Sequence, residues 1–368
     1  MSRILVINPI LYTAETNRIP KVKSIRDTMI YTFCLGFLKL GHQVTLLAAQ
    51  DYRPEEEEHY EFPVIFMKTA AHRIFQPRCL PYMPKLRGFL KKHPEYDLII
   101  SSEVFATWSY TAARICPEKT VIWHELAMHN RILHKIPSGI WYHLVARVMM
   151  RRTPVIPRSE AAAGFISRFL PHVADFCIDH GVDLEKFPKE GRIEKQNRFV
   201  VVSQFIDRKK IDRTILRFRD FFERGHRDYR LYLIGKGELE SACRELVTRC
   251  QLEEAVIFCG QMEHERLLPL VAEAKALLIS TVRDNNMVSI VESIAAGTPV
   301  VTTSVPYNAA YIRREELGIV ADDWGADALE KICAENEKYV HNCNVYKEKL
   351  SNVWLAGQFV EYARLYWK

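Results

Sequence analysis

A chain of 368 residues with 48% hydrophobic residues can build two ordinary domains with substantial cores. Its nine cysteines are odd in number and form no Cys-x-x-Cys pair, which argues against a disulfide framework and a zinc ribbon and for reduced, mostly buried thiols in the cytosol. The formal charge of +6 falls entirely in the N-terminal half: residues 1–190 hold 25 Lys and Arg against 19 Asp and Glu, while residues 191–368 hold 26 of each. That excess suits a first domain facing something anionic, a membrane surface or a phosphorylated acceptor, although solubility alone explains it equally well. The basic residues form no aromatic-interleaved stripe, which disfavours a nucleic-acid binder.

The N-terminus, MSRILVINPI, enters a buried strand with no n-region, h-region and cleavage pattern, and no apolar run reaches membrane-spanning length. The expectation is a cytoplasmic protein, neither exported nor integral. ILVINPI is a continuous apolar run of the kind found in parallel strands buried on both faces, and VTLLAA at 44–49 repeats it after an amphipathic stretch. The alternation continues through the acidic loop at 55–58, VIFM, a helix over 85–93, DLIISS at 97–102 and TVIWH at 120–124, a doubly wound sheet. Two amphipathic segments, PKLRGFLKKH and WYHLVARVMMRR, carry Lys85, Arg87, Lys91 and Lys92, and Arg147, Arg151 and Arg152, around apolar faces. Such faces can lie on an anionic bilayer, and helices packed on a sheet have the same pattern.

A charged stretch over 185–198 precedes a second alternating series: FVVVSQF, a helix through Phe222, RLYLIGKG, a helix over 241–250, AVIFCG, a further helix and ALLIST. The predicted boundary is 190/191. The chain closes on an aromatic amphipathic helix, NVWLAGQFVEYARLYWK.

The segment STVRDNNMVSIVESIAAGTPVVT at 280–302 places two carboxylates around a loop that becomes a helix: Asp284 in the loop, Glu292 inside the helix. Gly297 is a natural helix stop, and Pro299 opens a buried strand. The helix terminus would turn free N–H groups of Asn286, Met287, Val288 and Ser289 towards an anion such as phosphate.

This segment resembles the donor site of retaining GT-B glycosyltransferases of family 4, whose motif is a Glu, seven residues, a second Glu, then Ala-Ala-Gly-x-Pro-Val-Val. The resemblance covers nearly the whole chain, strongly in the C-terminal half and weakly before residue 120. It implies two Rossmann-like doubly wound parallel-sheet domains, the C-terminal helix crossing back to the first. It also implies that Glu292 holds the nucleotide ribose and Asp284, one methylene shorter than the usual Glu, contacts the donor sugar.

Other segments extend the likeness. In FVVVSQFIDRKKIDRTI the family has Gly-Arg, four residues, then Lys-Gly; Gln204 stands at the Arg and Lys209 at the Lys that neutralises the donor diphosphate, with Arg208 and Lys210 beside it. An amide cannot replace the planar, charged fork of Arg; as a bare sequence, RKK is also an ordinary basic turn. Gly235 and Gly237 of GKGELE permit close backbone approach, and VIFCGQ puts Val256, Ile257, Phe258, Gly260 and Gln261 beside the nucleotide base, though Val256 and Phe258 equally suit strand core. His124, ending TVIWH, resembles the family's His facing the donor sugar, and a capping or core histidine fits the same position. Met128, His129 and His134 follow without the spacing of a helical zinc site. SEAAAGFISRFLPH and FCIDHGVDLEKF match a structural linker approach, and Asp322 and Asp323 do not make an Asp-x-Asp metal motif. The family's Gly-Gly loop after the first strand is missing; Lys21, Lys23 and Arg26 could supply positive charge there, or form an exposed basic loop.

The resemblance implies a retaining, metal-independent hexosyltransferase without a cofactor, taking a nucleotide-sugar donor, UDP-linked before GDP-linked. Its acceptor would be a cell-surface glycan or lipid-linked saccharide, reached by peripheral contact with the inner face of the membrane. Two rivals remain: a catalytically silent GT-B subunit supporting an active partner, and a nucleotide-sugar epimerase.

Overall fold

The structure, a computed structural model, describes residues 1–12, 19, 22–26, 28–129, 135–187 and 193–367. The chain divides into two compact units, residues 1–181 with 352–368, and residues 182–351. The division falls at Gly181/Val182, earlier than the expected 190/191; residues 188–192 of the charged stretch, and Lys21 and His134, lie outside the described residues.

The first unit holds strands β1 Arg3–Ile7, β2 Gln43–Ala49, β3 Val64–Met67, β4 Leu98–Ser102, β5 Thr120–His124 and β6 Val155–Pro157. They form one sheet in the order β3-β2-β1-β4-β5-β6, every pair parallel. Alternation along β1 sends Ile4 and Val6 into the core on one face and Leu5 and Ile7 into the core on the other, which is why the strand is apolar throughout. The helix Met29–Lys39 starts at Thr28, whose side chain accepts from Tyr31 N at 3.3 Å.

The final helix, Asn352–Tyr366, belongs to this first core. It crosses Met29–Lys39 at Gly36, where a Cβ would stand 2.2 Å from the Asn352 carbonyl oxygen, so the missing side chain sets the approach. Asn352 Nδ2 donates to Thr32 O at 2.8 Å. Phe33 stacks on Trp123 with ring centroids 4.6 Å apart and meets Phe359 edge-on at 5.1 Å.

The second unit repeats the design with β7 Arg198–Val202, β8 Arg230–Ile234, β9 Val256–Gly260, β10 Ala276–Leu278, β11 Val300–Thr302 and β12 Gly318–Val320. Their order is β12-β11-β10-β7-β8-β9, again parallel. Each sheet therefore reverses direction once, between β1 and β4 and between β7 and β10. The loops leaving the carboxyl ends of those neighbouring strands diverge, and ligands of open α/β sheets bind in the crevice so formed.

Lys195 is partly buried as a residue, but its amine is withdrawn from water and donates to Ala272 O at 2.6 Å and Thr298 Oγ1 at 2.7 Å. Desolvation lowers its pKa to about 7. A neutral amine has two N–H groups, and both are used. Because the folded pKa lies below the unfolded value, the unfolded chain binds the extra proton between about pH 7 and 10.5, and stability rises with pH across that window. The penalty is complete below pH 7 and amounts to about 2–4 kcal/mol once partial exposure is allowed for. Urea midpoints between pH 6.5 and 9.5 are expected to rise more steeply in wild type than in Lys195→Met; equal slopes would contradict this.

Candidate functional site

The loops after β7 and β10 flank the reversal point of the second sheet. After β7 the chain forms a short 3-10 turn, Asp207–Lys209, and Lys210 follows with φ 49° and ψ 50°, the left-handed geometry that glycine meets without strain. Lys210 occupies the Gly of the family's Lys-Gly, and its amine is tied to the Asp207 carboxylate. The loop after β10 is stitched to this turn: Val282 N donates to Arg208 O at 2.9 Å, and Thr281 Oγ1 lies 3.0 Å from the same oxygen. From behind, Thr214 Oγ1 donates to Ser280 Oγ at 2.8 Å and Trp324 Nε1 to Ile279 O at 2.9 Å.

This stitching brings Asp284 between two cations 75 and 76 positions away in sequence. Lys209 Nζ donates to Asp284 Oδ2 at 2.5 Å and Arg208 Nη1 to Oδ1 at 2.9 Å. The side chains are sheltered, 13% exposed for Asp284, 11% for Lys209 and 24% for Arg208, so the surplus positive charge is only weakly screened. Arg208 is a functional candidate that motif matching treated only as a neighbour; its guanidinium lies on Asp284, whereas Gln204 is exposed.

The helix runs over Val288–Ala295, with Met287 as its N-cap. The expected row of free N–H groups needs correction at Met287, whose N–H donates to Asn308 Oδ1 at 2.6 Å; Asn308 is fully buried. Asn286 also has a partner. The N–H groups of Val288 and Ser289 meet no acceptor among the described residues. The helix ends as the sequence implied, Gly297 taking φ 71° with its N–H on Ile294 O at 2.9 Å. One turn into it, Glu292 Oε1 lies 2.9 Å from His264 Nε2. Glu292 is 15% exposed and His264 41%, so this pair opens outward. No local signal marks His264; 28 residues separate it from Glu292, and only packing unites them.

The glycines serve the fold first. Gly235 has φ 135°, and a Cβ there would stand 1.9 Å from Ser203 O; a Cβ at Gly237 would stand 2.4 Å from Phe205 O. The close approach is thus to the chain's own loop after β7, which Phe205 N extends by donating to Lys236 O at 3.0 Å. Gly260 ends β9 with φ 67°. Phe258 is half-buried: it packs on the core with Val256, 6.1 Å from Phe205, and the Arg244 guanidinium lies over it at 4.2 Å.

In the first unit His124 is fully buried, which corrects the expectation of a residue open to a ligand. Its Nδ1 lies 3.0 Å from Glu103 Oε2 and Nε2 has no partner. Glu103 itself has φ 66° at the end of β4, and its carboxyl is held below the usual range: burial pushes the pKa up, and His124 and Arg158 outweigh it. Arg158 joins Glu125 at 3.0 Å and lies over Trp123 at 3.7 Å. Arg26 is likewise engaged, with Glu58 at 3.1 Å and with Glu61, so its charge is matched inside the unit. Asp322 Oδ1 accepts from Ser304 N and Oγ, both at 2.7 Å, a turn contact. Among the described residues no group of three or more His, Cys, Asp and Glu is placed to hold a metal ion.

Comparison with known proteins agrees with this architecture. Residues 182–348 match the family model Glycosyl transferases group 1, and residues 27–186 match Glycosyltransferase Family 4. The chain is 21% identical over 367 residues to the alpha-monoglucosyldiacylglycerol synthase of Streptococcus pneumoniae, covering 91% of this chain and 80% of the relative. Among solved structures, sucrose-phosphate synthase from Thermosynechococcus elongatus aligns with a TM-score of 0.69 at 16% identity over 99% of each chain. HepE of Anabaena, solved with UDP-glucose, aligns with a TM-score of 0.63 at 14% identity, covering 99% of this chain and 100% of that one. With both halves matched and both sheets built alike, the chain belongs to the group 1, family 4 glycosyltransferases of GT-B fold.

Proposed function

We propose that this glycosyltransferase moves a hexose, with retention of anomeric configuration, from a UDP-sugar to a hydroxyl of a membrane glycolipid or lipid-linked glycan. The observation that carries the donor assignment is the pairing of Lys209 and Arg208 with one carboxylate beside a helix terminus. A diphosphate likewise presents anionic oxygens that can each accept from a cation, so the two cations can exchange Asp284 for the donor. The UDP-glucose bound to HepE supports the sugar, and the glucosyldiacylglycerol for whose synthesis the pneumococcal relative is named supports an acceptor at the membrane lipid.

Breaking the bond between anomeric carbon and phosphate oxygen puts negative charge on the leaving diphosphate. Lys209, Arg208 and the N–H groups of Val288 and Ser289 would stabilise that charge without a metal. The departing oxygen takes the acceptor's proton while the new bond forms on the same face. Asp284, released from the cations, would turn to the sugar hydroxyls, and Glu292 would exchange His264 for the ribose.

Thermal unfolding with UDP, GDP, ADP, CMP and dTDP tests the donor class, since a ligand of the folded state raises the midpoint. UDP alone is expected to raise it. Glu292→Ala is expected to weaken UDP binding by roughly 10- to 150-fold, the value of a hydrogen bond to a charged group of about 1.5–3 kcal/mol. No rise with any nucleotide would favour the silent subunit, which the loss of Arg at Gln204 also suits; donor hydrolysis by the purified chain would remove that rival. Conversion of a UDP-sugar without acceptor would instead indicate an epimerase.

A further inference from the structure

The helix Lys135–Ile140 continues directly into a wider, i→i+5 wound helix, Trp141–Met149. One side is core: Ser138, Tyr142, Ala146 and Met150 are each 0% exposed, and Trp141 Nε1 donates to Val104 O at 2.9 Å. The opposite side is also apolar. Ile136 is 73% exposed, Ile140 55%, Leu144 61% and Val148 68%, a row at every fourth residue that touches no core. In a pure α-helix such a row winds away by about 40° per step; the wider helix, with roughly 4.4 residues per turn, winds it back by about 30° per step, so the four side chains stay on one side. Single exposed aliphatics are ordinary, whereas an aligned row of four marks an interaction face.

Charge identifies what the face meets. From Leu126 to Ser159 the sequence contains no Asp or Glu. Arg147, Arg151 and Arg152 are exposed at the helix and its C-terminal end. We propose that this face docks on an anionic lipid bilayer, the row from Ile136 to Val148 entering the boundary between headgroups and acyl chains and the three arginines pairing with lipid phosphates. A second copy of the chain suits the face poorly, because the same segment of a partner carries no Asp or Glu between residues 126 and 159 to pair with these arginines. Among the described residues no helix is long and apolar enough to cross a membrane, so this contact lies in the plane of the interface. The related segment Leu86–Lys92 differs: Leu86 and Leu90 are buried against the sheet, and only its charged side is free.

The proposal does not depend on the sugar chemistry, and its test uses no nucleotide. The full chain is mixed with vesicles of phosphatidylcholine containing about one third phosphatidylglycerol, or of phosphatidylcholine alone, and sedimented. Wild type is expected to sediment with the anionic vesicles, less so as salt is raised, and at least tenfold less when Ile140→Asn and Leu144→Asn are combined. Both positions are exposed, so the double variant keeps its unfolding midpoint. Independently, Leu144→Trp is expected to shift its emission to the blue on anionic vesicles. Wild type left in the supernatant, undiminished binding by the double variant, or unchanged emission from Leu144→Trp would overturn the proposal. So would a dimer in light scattering that the double variant abolishes while vesicle binding is unaffected.

Discussion

Replacing Lys209 by alanine is expected to lower turnover with a UDP-sugar by roughly 100- to 1,000-fold, the usual cost of removing one preorganised donor from a developing anion. The effect should fall on kcat more than on KM. Lys209 and Arg208 both hold Asp284, at 2.5 and 2.9 Å, so charge at this position is already oriented before the diphosphate begins to leave. On the proposed donor site, Arg208 in Lys209→Ala would still bind the ground-state diphosphate but would face the transition state alone. Arg208→Ala should cost less, and the double variant should lose less than the product of the two, because the cations act on one group. Steady-state kinetics of the three variants decide this: a raised KM with unchanged kcat for Lys209→Ala would make the residue a ground-state binder only.

Gly36→Ala is expected to destabilise the first unit by about 2–3 kcal/mol, a large penalty for one methyl group on a helix. Alanine is the better helix former and would ordinarily stabilise. Here the new Cβ would lie 2.2 Å from Asn352 O, 2.6 Å from its carbonyl carbon and 3.2 Å from Ala356 Cβ. Two of those three are backbone atoms and cannot step aside, so the helices must part. Parting them strains the bond from Asn352 Nδ2 to Thr32 O and lifts Phe359 from Phe33 and Trp123. Urea unfolding is the measurement, with Phe359→Ala, expected to lose about 3–5 kcal/mol, as the reference for emptying the same core. An unchanged or higher midpoint for Gly36→Ala would mean that the crossing is loose.

The contrast between Gly36 and Gly297 separates what a sequence displays from what it conceals. Gly297 could be read in line, because a glycine after an apolar helical run and before Pro299 is a local stop signal. Gly36 sits mid-helix, and only a partner more than 300 residues away explains it. The site divides in the same way. Lys209, Asp284 and Glu292 were singled out by their match to the family motif, yet Arg208 as second cation on Asp284 and His264 as partner of Glu292 emerged only when separate elements met. His124, for which the sequence left both a ligand-facing and a core position open, proved to be fully buried, since a strand's end does not show what packs over it.

By itself the sequence determined the α/β alternation and the parallel strands, because hydrophobic periodicity, helix punctuation and the order of elements are local or serial properties of the chain, and it carried the resemblance to the family in the motif over 280–302. Only the tertiary structure decided the strand order about each reversal point, the ion pairing of Asp284, and which face of the helix over 135–149 is core and which is bare. Those depend on contacts between residues far apart in sequence, and on a helix with two apolar sides the periodicity is the same whichever side is buried.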